Sequence, residues 1–560
     1  MTPARGDNLA PAPAEHTTAA AVGKQYLDSF APSQASDKSP CRDDDGALSS
    51  GRYAANSPAL ADTVTPEHLQ LDYHHPLERW LGTRPMRWLL RRLAKPSPDG
   101  TTPLERVIGS YRNGQASRWQ RTKYWLLHKV IDRFRGTTDV PTFRRLAEHK
   151  PTLRGLVIVA RSVGEFGLTE PQKFVAPLFA VWNFTNRCNL ACRHCYQDSE
   201  KKPLAGELTL EEKLDLVDQM GLAHMPMLAL SGGEPTLSGD LLPVITRAAS
   251  YGMHLTMATN GTTMTPERAA ELAAAGLRYV EISLDSVDPA RHDAFRGVPG
   301  MWEKSIRGAK AVVATPGLRL GVAMCVHQGN FHEVPAMLKF AEELGAGCFA
   351  HFNFIPVGRG LRMVEGDITP AQREQLLKML NEKMQAGGMG VISTAPQLGR
   401  VCLAGSPVDE GRTACSHAGS GSGAKARVVA KYLGGCGAGR TYICIEPAGD
   451  VTPCVYMPHR VMGNVRNKPL MAIFRESPLW DILNDRTQRL HHCEVCVFRD
   501  YCGGCRARAD AYFGQLHAGD PGCLFNQKHW DKLVAEGVAV VKEETDAGKV
   551  EITPTRHGPG

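Results

Sequence analysis

The chain has 560 residues, of which 42% are hydrophobic and 22% charged, an ordinary composition for a globular protein. This length exceeds one compact core and predicts about three domains with linkers. There is no run of about 18 apolar residues and no basic, apolar signal segment within residues 1–21, so we expect neither a membrane span nor secretion. In the expected cytoplasmic location, sixteen cysteines indicate metal or redox ligands rather than disulfides.

The net charge of +7 is distributed unevenly along the chain. The segment Leu77–Arg135 carries 14 Lys or Arg against 4 Asp or Glu and includes Trp80, Trp88, Trp119 and Trp125. Basic and Trp-rich segments suit a peripheral membrane contact or an acidic substrate, and a solvated basic helical domain is the simpler alternative. We expect no nucleic-acid partner.

Composition and periodicity divide the chain into six stretches. Residues 1–60 are poor in aromatic side chains, which predicts a disordered tail. A Gly/Ser-rich run, Ala418–Ala424, predicts a flexible loop. The predicted units are a tail at 1–60, a basic helical domain at 61–172, a strand–helix domain at 173–370, a helical and flexible linker at 371–430, a cysteine-rich domain at 431–530 and a C-terminal tail at 531–560.

Short apolar runs alternate with amphipathic helices from Phe174 onward, a pattern typical of a parallel sheet. Thr209 with Glu212 predicts a capping box, and Pro266 after Thr265 predicts a helix start. The fold class is therefore α/β, a partial TIM-like (β/α)6 barrel with its site at the carboxyl ends of the strands. The six predicted strands are Leu178–Phe184, Pro226–Ser231, His254–Thr259, Arg278–Leu284, Leu318–Cys325 and Cys348–Ile355.

Three cysteines, Cys188, Cys192 and Cys195, follow the first predicted strand. Their spacing places three thiolates in one loop, where they can hold three corners of a four-iron cubane. Clusters held entirely by protein take four cysteines, so the fourth iron would be open to a substrate or cofactor. Ordinary core cysteines and a structural zinc site are the alternatives.

With this Cys-x3-Cys-x2-Cys motif and its companions, the sequence resembles the radical S-adenosylmethionine (SAM) superfamily. Ser231-Gly232-Gly233-Glu234-Pro235 resembles the segment that holds the amino group of SAM. Thr259-Asn260-Gly261 resembles the family's third strand end, and Ser283-Leu284-Asp285 the ribose-contacting segment. Pro356–Gly360 also matches the family, without an assigned role.

The resemblance implies a mechanism. SAM chelates the open iron, His194 lies near the adenine, and an electron from the cluster cleaves the sulfonium to give a 5′-deoxyadenosyl radical that abstracts a substrate hydrogen. Cys188, Cys192 and Cys195 are then the catalytic cluster ligands. A flavodoxin or ferredoxin-type donor is the implied electron source.

A second cysteine set resembles the SPASM extension of these enzymes, which carries auxiliary iron–sulfur clusters. The resemblance implies two [4Fe–4S] clusters that relay electrons, with Cys444 the least certain ligand, and paired Cys-x2-Cys units leave zinc as the alternative. The sequence departs from the family pattern by having two rather than three residues between Cys502 and Cys505. The implied ligands are Cys436, Cys444, Cys454 and Cys505 for one cluster and Cys493, Cys496, Cys502 and Cys523 for the other.

The substrate stays open among three hypotheses. Residues 175–530 look most like SPASM enzymes of alternative haem biosynthesis, which implies a porphyrin-type side chain whose carboxylates would suit Arg359, Arg362 or the basic domain. Peptide-modifying members share the same motifs, and the N-terminal domain would then bind a leader peptide. A sugar or nucleoside is the third hypothesis, in which a free thiol returns a hydrogen atom, the candidates being Cys325, Cys348, Cys402 and Cys415. A non-catalytic iron–sulfur or zinc scaffold is the hypothesis from another class.

Overall fold

A computed structural model describes residues 76–97, 100–110, 148–405, 411–414 and 420–539, with isolated positions 122 and 125. The predicted N-terminal tail, Trp119 and Cys415 lie outside the described residues. No helix in the described part of the chain has the length and apolarity needed to cross a bilayer. The described helices are α1 Pro76–Leu81, α2 Arg84–Leu93, α3 Pro103–Ser110, α4 Lys150–Phe166, α5 Leu210–Leu222, α6 Leu241–Ser250, α7 Pro266–Ala275, α8 Pro289–Arg296, α9 Met301–Ala314, α10 Val334–Glu343, α11 Pro370–Ala386, α12 Gln397–Gly405, α13 Gly423–Leu433, α14 Leu470–Glu476, α15 Trp480–Asn484, α16 His492–Val495, α17 Arg506–Phe513 and α18 Gln527–Ala535.

One mixed sheet organises the described residues, and its strand order is β12-β11-β10-β1-β2-β3-β4-β5-β6-β7. Strands β1 to β7 are parallel, and β10 is parallel to β1. Strands β8 and β9 form a separate antiparallel pair. The strands are β1 Phe179–Asn183, β2 Met227–Ser231, β3 His254–Thr259, β4 Tyr279–Ser283, β5 Arg319–Val326, β6 Cys348–Asn353, β7 Gly390–Ser393, β8 Arg412–Ala414, β9 Ser420–Ser422, β10 Tyr442–Ile445, β11 Asp450–Thr452 and β12 Gly463–Asn464.

The α/β class and the open, partial barrel are confirmed. All six predicted strands occur, and each observed boundary lies within two residues of its prediction. The sheet is longer than the six-unit prediction because β7 and β10 extend it at opposite edges. Since β10 lies in the cysteine-rich region, that region and the barrel share one sheet.

Local signals start and end the barrel helices as expected. Thr209 and Glu212 form the capping box of α5, and Pro266 occupies the first turn of α7 behind Thr265. Gly276 ends α7 with a φ of 119°, a left-handed conformation that glycine adopts at little cost. The helices and strands enclose an apolar core that includes Trp182, Leu228 and Met257.

Two predicted boundaries need correction. The stretch Ala418–Ala424 is not a flexible loop throughout, because β9 pairs with β8 and α13 begins at Gly423. The predicted tail at 531–560 begins too early, since α18 continues to Ala535 with Leu533 buried.

The helical region before the barrel packs directly against it. Ile158 on α4 is fully buried in the barrel core. The guanidinium of Arg154 on the same helix donates hydrogen bonds to the carbonyl oxygens of Met225, Tyr251 and Gly221, at 3.0, 2.9 and 2.6 Å. Trp80 and Trp88, which the sequence placed in a basic surface segment, are exposed.

Candidate active site and auxiliary cluster region

The carboxyl ends of the parallel strands meet at one edge of the sheet, and the predicted SAM-binding motifs lie there. The first cysteine loop follows β1, and Ser231, Thr259 and Ser283 end β2, β3 and β4. Cys188, Cys192 and Cys195 all line one large cavity on the inner face of the sheet. Burial raises the pKa of Cys188 to about 12 and also raises that of Cys192. Burial therefore disfavours the thiolate forms, and metal coordination of the thiolates offsets this penalty.

Backbone contacts hold the first cysteine loop against α8 and the segment after β6. The amides of Ala191 and Arg193 donate to the carbonyl oxygens of Arg296 and Phe295, at 3.1 and 3.0 Å. A Cβ on Gly297 would lie 2.6 Å from the oxygen of Ala191, so only glycine permits this approach.

The Pro356–Gly360 motif, which sequence left without a role, clamps the cysteine loop. The backbone amide of Arg359 donates a hydrogen bond to the Cys195 carbonyl oxygen at 2.9 Å. Its side chain donates to the carbonyl oxygens of Cys192 and Ser199, at 2.9 and 2.7 Å. A Cβ on Gly358 would lie 2.5 Å from the Cys195 oxygen. Arg359 is thus held against the loop while it also lines the cavity, and its role as a carboxylate receptor stays a prediction; Arg362 is exposed and is not among the residues that line the cavity.

His194, the predicted adenine neighbour, belongs to a stack of three rings. Its ring lies 4.4 Å from that of Phe295 at an interplanar angle of 5°, and Phe295 lies 4.4 Å from His327. Burial lowers the pKa of His194 to about 3, so the ring is neutral at pH 7. Among the described residues its buried Nδ1 atom has no hydrogen-bond partner, which suits a polar ligand at that face.

Gly232, Gly233 and Glu234 are held by neighbouring protein groups. A Cβ on Gly233 would lie 2.3 Å from the Arg187 carbonyl oxygen, and Gly232 has a φ of 116°. These glycines thus allow the loop to approach the cysteine loop, and they also line the cavity. Pro235 opens a short 3-10 helix behind them.

Glu234 is fully buried and connects the ends of β2 and β3. Its carboxylate accepts hydrogen bonds from the Thr259 hydroxyl at 2.7 Å, the Asn260 amide at 2.8 Å and the Thr236 hydroxyl at 2.6 Å. The Asn260 side chain donates to Asn189 Oδ1 at 2.8 Å. Glu234 and Asn260 therefore brace the loop around the first cysteines.

Ser283 lines the cavity, whereas Asp285 is buried beside it. The Asp285 carboxylate lies 2.7 Å from a guanidinium nitrogen of Arg296 and accepts from the Cys325 amide at 2.9 Å. Burial alone would raise the pKa of Asp285, but Arg296 and the neighbouring histidines bring it below its usual value. Arg296 also donates to the Cys192 sulfur at 3.6 Å, so it connects the acidic group to the cysteine loop.

The cavity has a volume of about 540 Å³ and reaches from the first cysteine loop to the cysteine-rich region. Cys436, Cys454 and Cys505 line it together with Tyr456. Tyr196, next to Cys195, makes an edge contact with Tyr456 at a centroid distance of 5.2 Å. Ligands bound in this cavity would therefore lie between two cysteine sites.

The resemblance implies two sets among the remaining cysteines, and this division stays a prediction. We call Cys436, Cys444, Cys454 and Cys505 the first auxiliary set and Cys493, Cys496, Cys502 and Cys523 the second auxiliary set. Burial and the nearby sulfurs of Cys523, Cys493 and Cys496 raise the pKa of Cys502. Burial, with Asp520, Cys436 and Cys454, likewise raises the pKa of Cys505.

The short spacing between Cys502 and Cys505 has a conformational explanation. Gly503 and Gly504 both have left-handed backbones, with φ of 66° and 63°. This tight turn allows two nearby cysteines to join different sets, which side chains other than glycine would resist.

Cys444 lies on β10, and its sulfur contacts polar groups. It accepts from the Asn183 amide at 3.4 Å and donates to Glu446 at 3.5 Å. Burial, Glu446 and Cys454 raise its pKa. Its role as a cluster ligand stays a prediction.

The auxiliary sites are built from cysteines, whose thiolates are the ligands of iron–sulfur clusters. Zinc draws its ligands to about 2.3 Å from one centre, whereas a cubane spreads its thiolates over separate irons. Within the described ranges, no group of three His, Cys, Asp or Glu side chains stands out as a site for one metal ion. The donor chemistry fits iron–sulfur clusters.

Sequence reasoning missed Phe295, Arg296 and Tyr456. Phe295 and Arg296 end α8, and only the tertiary packing of that helix brings them to the cysteine loop. Tyr456 carried a detectable signal, since it follows Cys454 by two residues. Among the proposed thiol donors, Cys325 and Cys348 line the cavity, and Cys402 is buried in the apolar core.

Comparisons with known proteins agree with this geometry. The Radical SAM superfamily model matches residues 182–341, and the SPASM iron–sulfur cluster-binding domain model matches residues 436–497. The AdoMet-dependent heme synthase of Nitratidesulfovibrio vulgaris is 32% identical over 349 residues, which cover 62% of this chain and 92% of that protein. The mycofactocin maturase of Mycobacterium ulcerans is 29% identical over 354 residues, covering 62% and 88%.

A solved structure supports the fold. SuiB of Streptococcus suis bound to S-adenosylmethionine aligns with a TM-score of 0.55 at 15% identity, covering 76% of this chain and 93% of SuiB. The chain belongs to the radical SAM superfamily and carries a SPASM domain. Its cofactors are SAM and a [4Fe–4S] cluster, with auxiliary iron–sulfur clusters in the SPASM domain.

Proposed function

We propose that this enzyme oxidatively modifies a carboxylate-bearing side chain of a porphyrin-type tetrapyrrole. The observation that carries the proposal is the similarity to a heme synthase over 92% of that protein's length. The cofactors, when bound, supply a 5′-deoxyadenosyl radical that removes a hydrogen atom from the substrate. The roles below are those of the chain's own residues.

The first cysteines would hold the SAM cluster, and the strand ends would hold SAM. Cys188, Cys192 and Cys195 supply three thiolates beside Gly232 and Gly233, whose loop lines the same cavity. Ser283 offers a hydroxyl at the end of β4, and His194 offers a neutral ring face. Glu234 and Asp285 act by bracing, because their carboxylates are already bonded to protein groups.

The chemistry of an acid side chain requires an electron acceptor. Loss of a hydrogen atom from a propionate leaves a carbon radical, and formation of a vinyl group then releases carbon dioxide and one electron. Cys436, Cys454 and Cys505 of the first auxiliary set lie on the cavity wall, and a cluster held there could take that electron. With a cluster as the electron acceptor, conversion of the propionate to a vinyl group and carbon dioxide needs no further oxidant. Accepting this electron is the relay role proposed for the auxiliary clusters.

The cavity also offers cations for substrate carboxylates. Arg278 and Arg319 line it at the amino-terminal ends of β4 and β5, away from the cysteine loop, and Arg278 Nη1 also donates to the carbonyl oxygens of Ala273 and Leu277. The strand rise puts the Arg278 backbone about 17 Å from that of Ser283. A large substrate with several carboxylates can span this length, with one side chain at the radical and others at the arginines.

Peptide modification is the second candidate, favoured by the 29% identity to a mycofactocin maturase over 88% of its length. A sugar or nucleoside substrate has no similar support among the relatives described above. The flavodoxin or ferredoxin-type donor and the membrane contact of the basic segment also stay predictions.

One experiment separates these substrates. Anaerobic 5′-deoxyadenosine formation is measured with reductant, SAM and, in parallel, iron porphyrins with propionate side chains, candidate peptides and nucleotide sugars. Stimulation by the porphyrins, with release of carbon dioxide, supports the proposal. Stimulation only by a peptide or sugar overturns it.

A further inference from the structure

The two auxiliary sets are joined by one backbone hydrogen bond. The amide of Cys436, in the first set, donates to the carbonyl oxygen of Cys502, in the second set, at 3.0 Å. Arg486 lies at this junction. Its guanidinium donates to the carbonyl oxygens of Gly434 at 2.7 Å and Cys436 at 3.5 Å on one side. On the other side it donates to the carbonyls of Arg499, at 3.2 Å, and Asp500.

Arg486 is a buried cation whose bonds all go to neutral carbonyl groups. It is 3% exposed, and within the described part of the chain no carboxylate oxygen lies within 4 Å of its guanidinium. The charge of Asp500 is the nearest acidic one, but Arg486 contacts that residue through its backbone.

Two more buried arginines nearby share this property. Arg506 donates to the carbonyls of Leu516 and Ala518, and Arg489 donates to that of Ile482. Among the described residues, the Nη2 atom of Arg506 and the Nε atom of Arg489 have no hydrogen-bond acceptor. A Cβ on Gly504 would lie 2.6 Å from Arg506 Nη2, 3.2 Å from Asp520 Cβ and 3.4 Å from the Cys493 sulfur, so that unsatisfied nitrogen is near both an acidic residue and a predicted ligand of the second set.

Two other buried arginines of the same region do have acidic partners. Arg508 pairs with Asp367 and Asp520, and Arg400 pairs with Glu374. Asp500, Asp485 and Asp520 lie near Arg486, Arg489 and Arg506 without forming an ion pair with them among the described residues, so further negative charge nearby would stabilise these buried cations. A cubane bound by four thiolates is an anion, and charge on Cys436, Cys493 and Cys502 acts on Arg486 or Arg489.

We propose that Arg486, with Arg489 and Arg506, supplies the counter-charge of the two auxiliary clusters, and that Arg486 positions the hydrogen-bonded contact through which the clusters exchange electrons. This inference rests on the proposed relay function. A cation beside both clusters favours their reduced, more negative states, and therefore raises both reduction potentials.

The test is a redox titration of the reconstituted full-length protein, monitored by electron paramagnetic resonance. The SAM cluster is recognised by the change of its signal when SAM is added. Arg486→Gln is expected to shift the midpoint potentials of both auxiliary clusters to more negative values, leaving the SAM cluster unchanged. Arg486→Lys, which keeps the charge, is expected to shift them less.

Arg154→Gln is the matched control, because Arg154 is also buried and bonded only to carbonyls but lies on α4, against the barrel helices. Its removal should leave all three potentials unchanged. The inference is overturned if Arg486→Gln shifts neither auxiliary potential, or if Arg154→Gln shifts them equally.

If Arg486→Gln does not fold, Arg489→Gln is titrated instead, since among the described residues the Arg489 guanidinium donates a single hydrogen bond, to the Ile482 carbonyl oxygen. A negative shift supports the inference, and unchanged potentials contradict it. Iron content separates this failure from failure of the relay itself. If the protein holds iron for one cluster only, the relay function itself is contradicted. If it holds iron for three clusters and the potentials do not shift, only the role of the arginines is contradicted.

Discussion

The side-chain Nε of Arg359 donates a hydrogen bond of 2.9 Å to the carbonyl oxygen of Cys192. With the contacts to Cys195 and Ser199, this arginine fixes the backbone between the second and third cysteines of the loop. We therefore expect Arg359 to act as a positioning residue for the SAM cluster.

Replacing Arg359 with Ala should loosen the cysteine loop. Loss of a charged hydrogen bond costs about 1.5–3 kcal/mol, enough to lower SAM cleavage by about tenfold or more. Iron content and 5′-deoxyadenosine formation are measured together, and iron of the auxiliary clusters should remain. Arg362→Ala, at an exposed position nearby, is the control and should behave as the wild type. Equal losses in both variants would contradict the positioning role.

The three cysteines of the first loop should be individually required. Cys188→Ala, Cys192→Ala or Cys195→Ala should abolish SAM cleavage, because each removes a ligand of the cluster that binds SAM, and the auxiliary clusters should stay in place. Mössbauer spectra and iron content report the surviving clusters. Cys402→Ala, in the buried core of α12, should retain cleavage. Cleavage by all three loop variants would refute the assignment of these ligands.

Cys444 should be needed for the first auxiliary cluster. If it is a ligand, Cys444→Ala removes one thiolate, and the iron content falls or the spectrum of one auxiliary cluster changes. The SAM cluster should keep its response to SAM. Wild-type iron and spectra in this variant would show instead that Cys444 is a buried strand residue that contacts Asn183 and Glu446.

Glu281 should make stability depend on pH. It is buried in the cavity wall, where its carboxylate accepts a hydrogen bond from Tyr279, and burial raises its pKa from 4.5 to about 7. Since the folded chain binds this proton more tightly than the unfolded chain, the folded state loses stability as pH rises from about 4.5 through 7.

Glu281→Gln should therefore stabilise the protein, by about 1 kcal/mol more near pH 8.5 than near pH 6. Denaturant unfolding of the anaerobic protein at both pH values measures the difference. Glu303→Gln, at an exposed position, is the control. If Glu281→Gln stabilises the protein equally at both pH values, ionisation of Glu281 does not destabilise the folded state.

Local signals explain why so much of the barrel was predictable from sequence. Strands β1 to β6 are apolar runs bounded by capped helices, and the Thr209 and Thr265 caps mark helix starts directly. Strand β10 has only four residues and pairs with β1, which lies more than 250 positions earlier in the chain, so no local pattern predicts it. Strand β9 was missed because pairing with β8 orders a sequence that otherwise favours a loop.

The candidate site was likewise only partly predictable from the sequence. Cysteine spacing singled out the first cysteine loop, and the resemblance to SPASM enzymes supplied the auxiliary sets, which stay predictions. The bracing of Glu234 and Asp285 could not be predicted, because their partners Asn260 and Arg296 are brought to them by tertiary packing.

Radical SAM catalysis by this chain is tested most directly by measuring 5′-deoxyadenosine formation from SAM under anaerobic, reducing conditions. The reconstituted protein is compared with its Cys192→Ala variant. We expect the wild type to form 5′-deoxyadenosine and the variant to form none. No product from wild-type protein that contains its full complement of clusters, with substrate and reductant present, would contradict it.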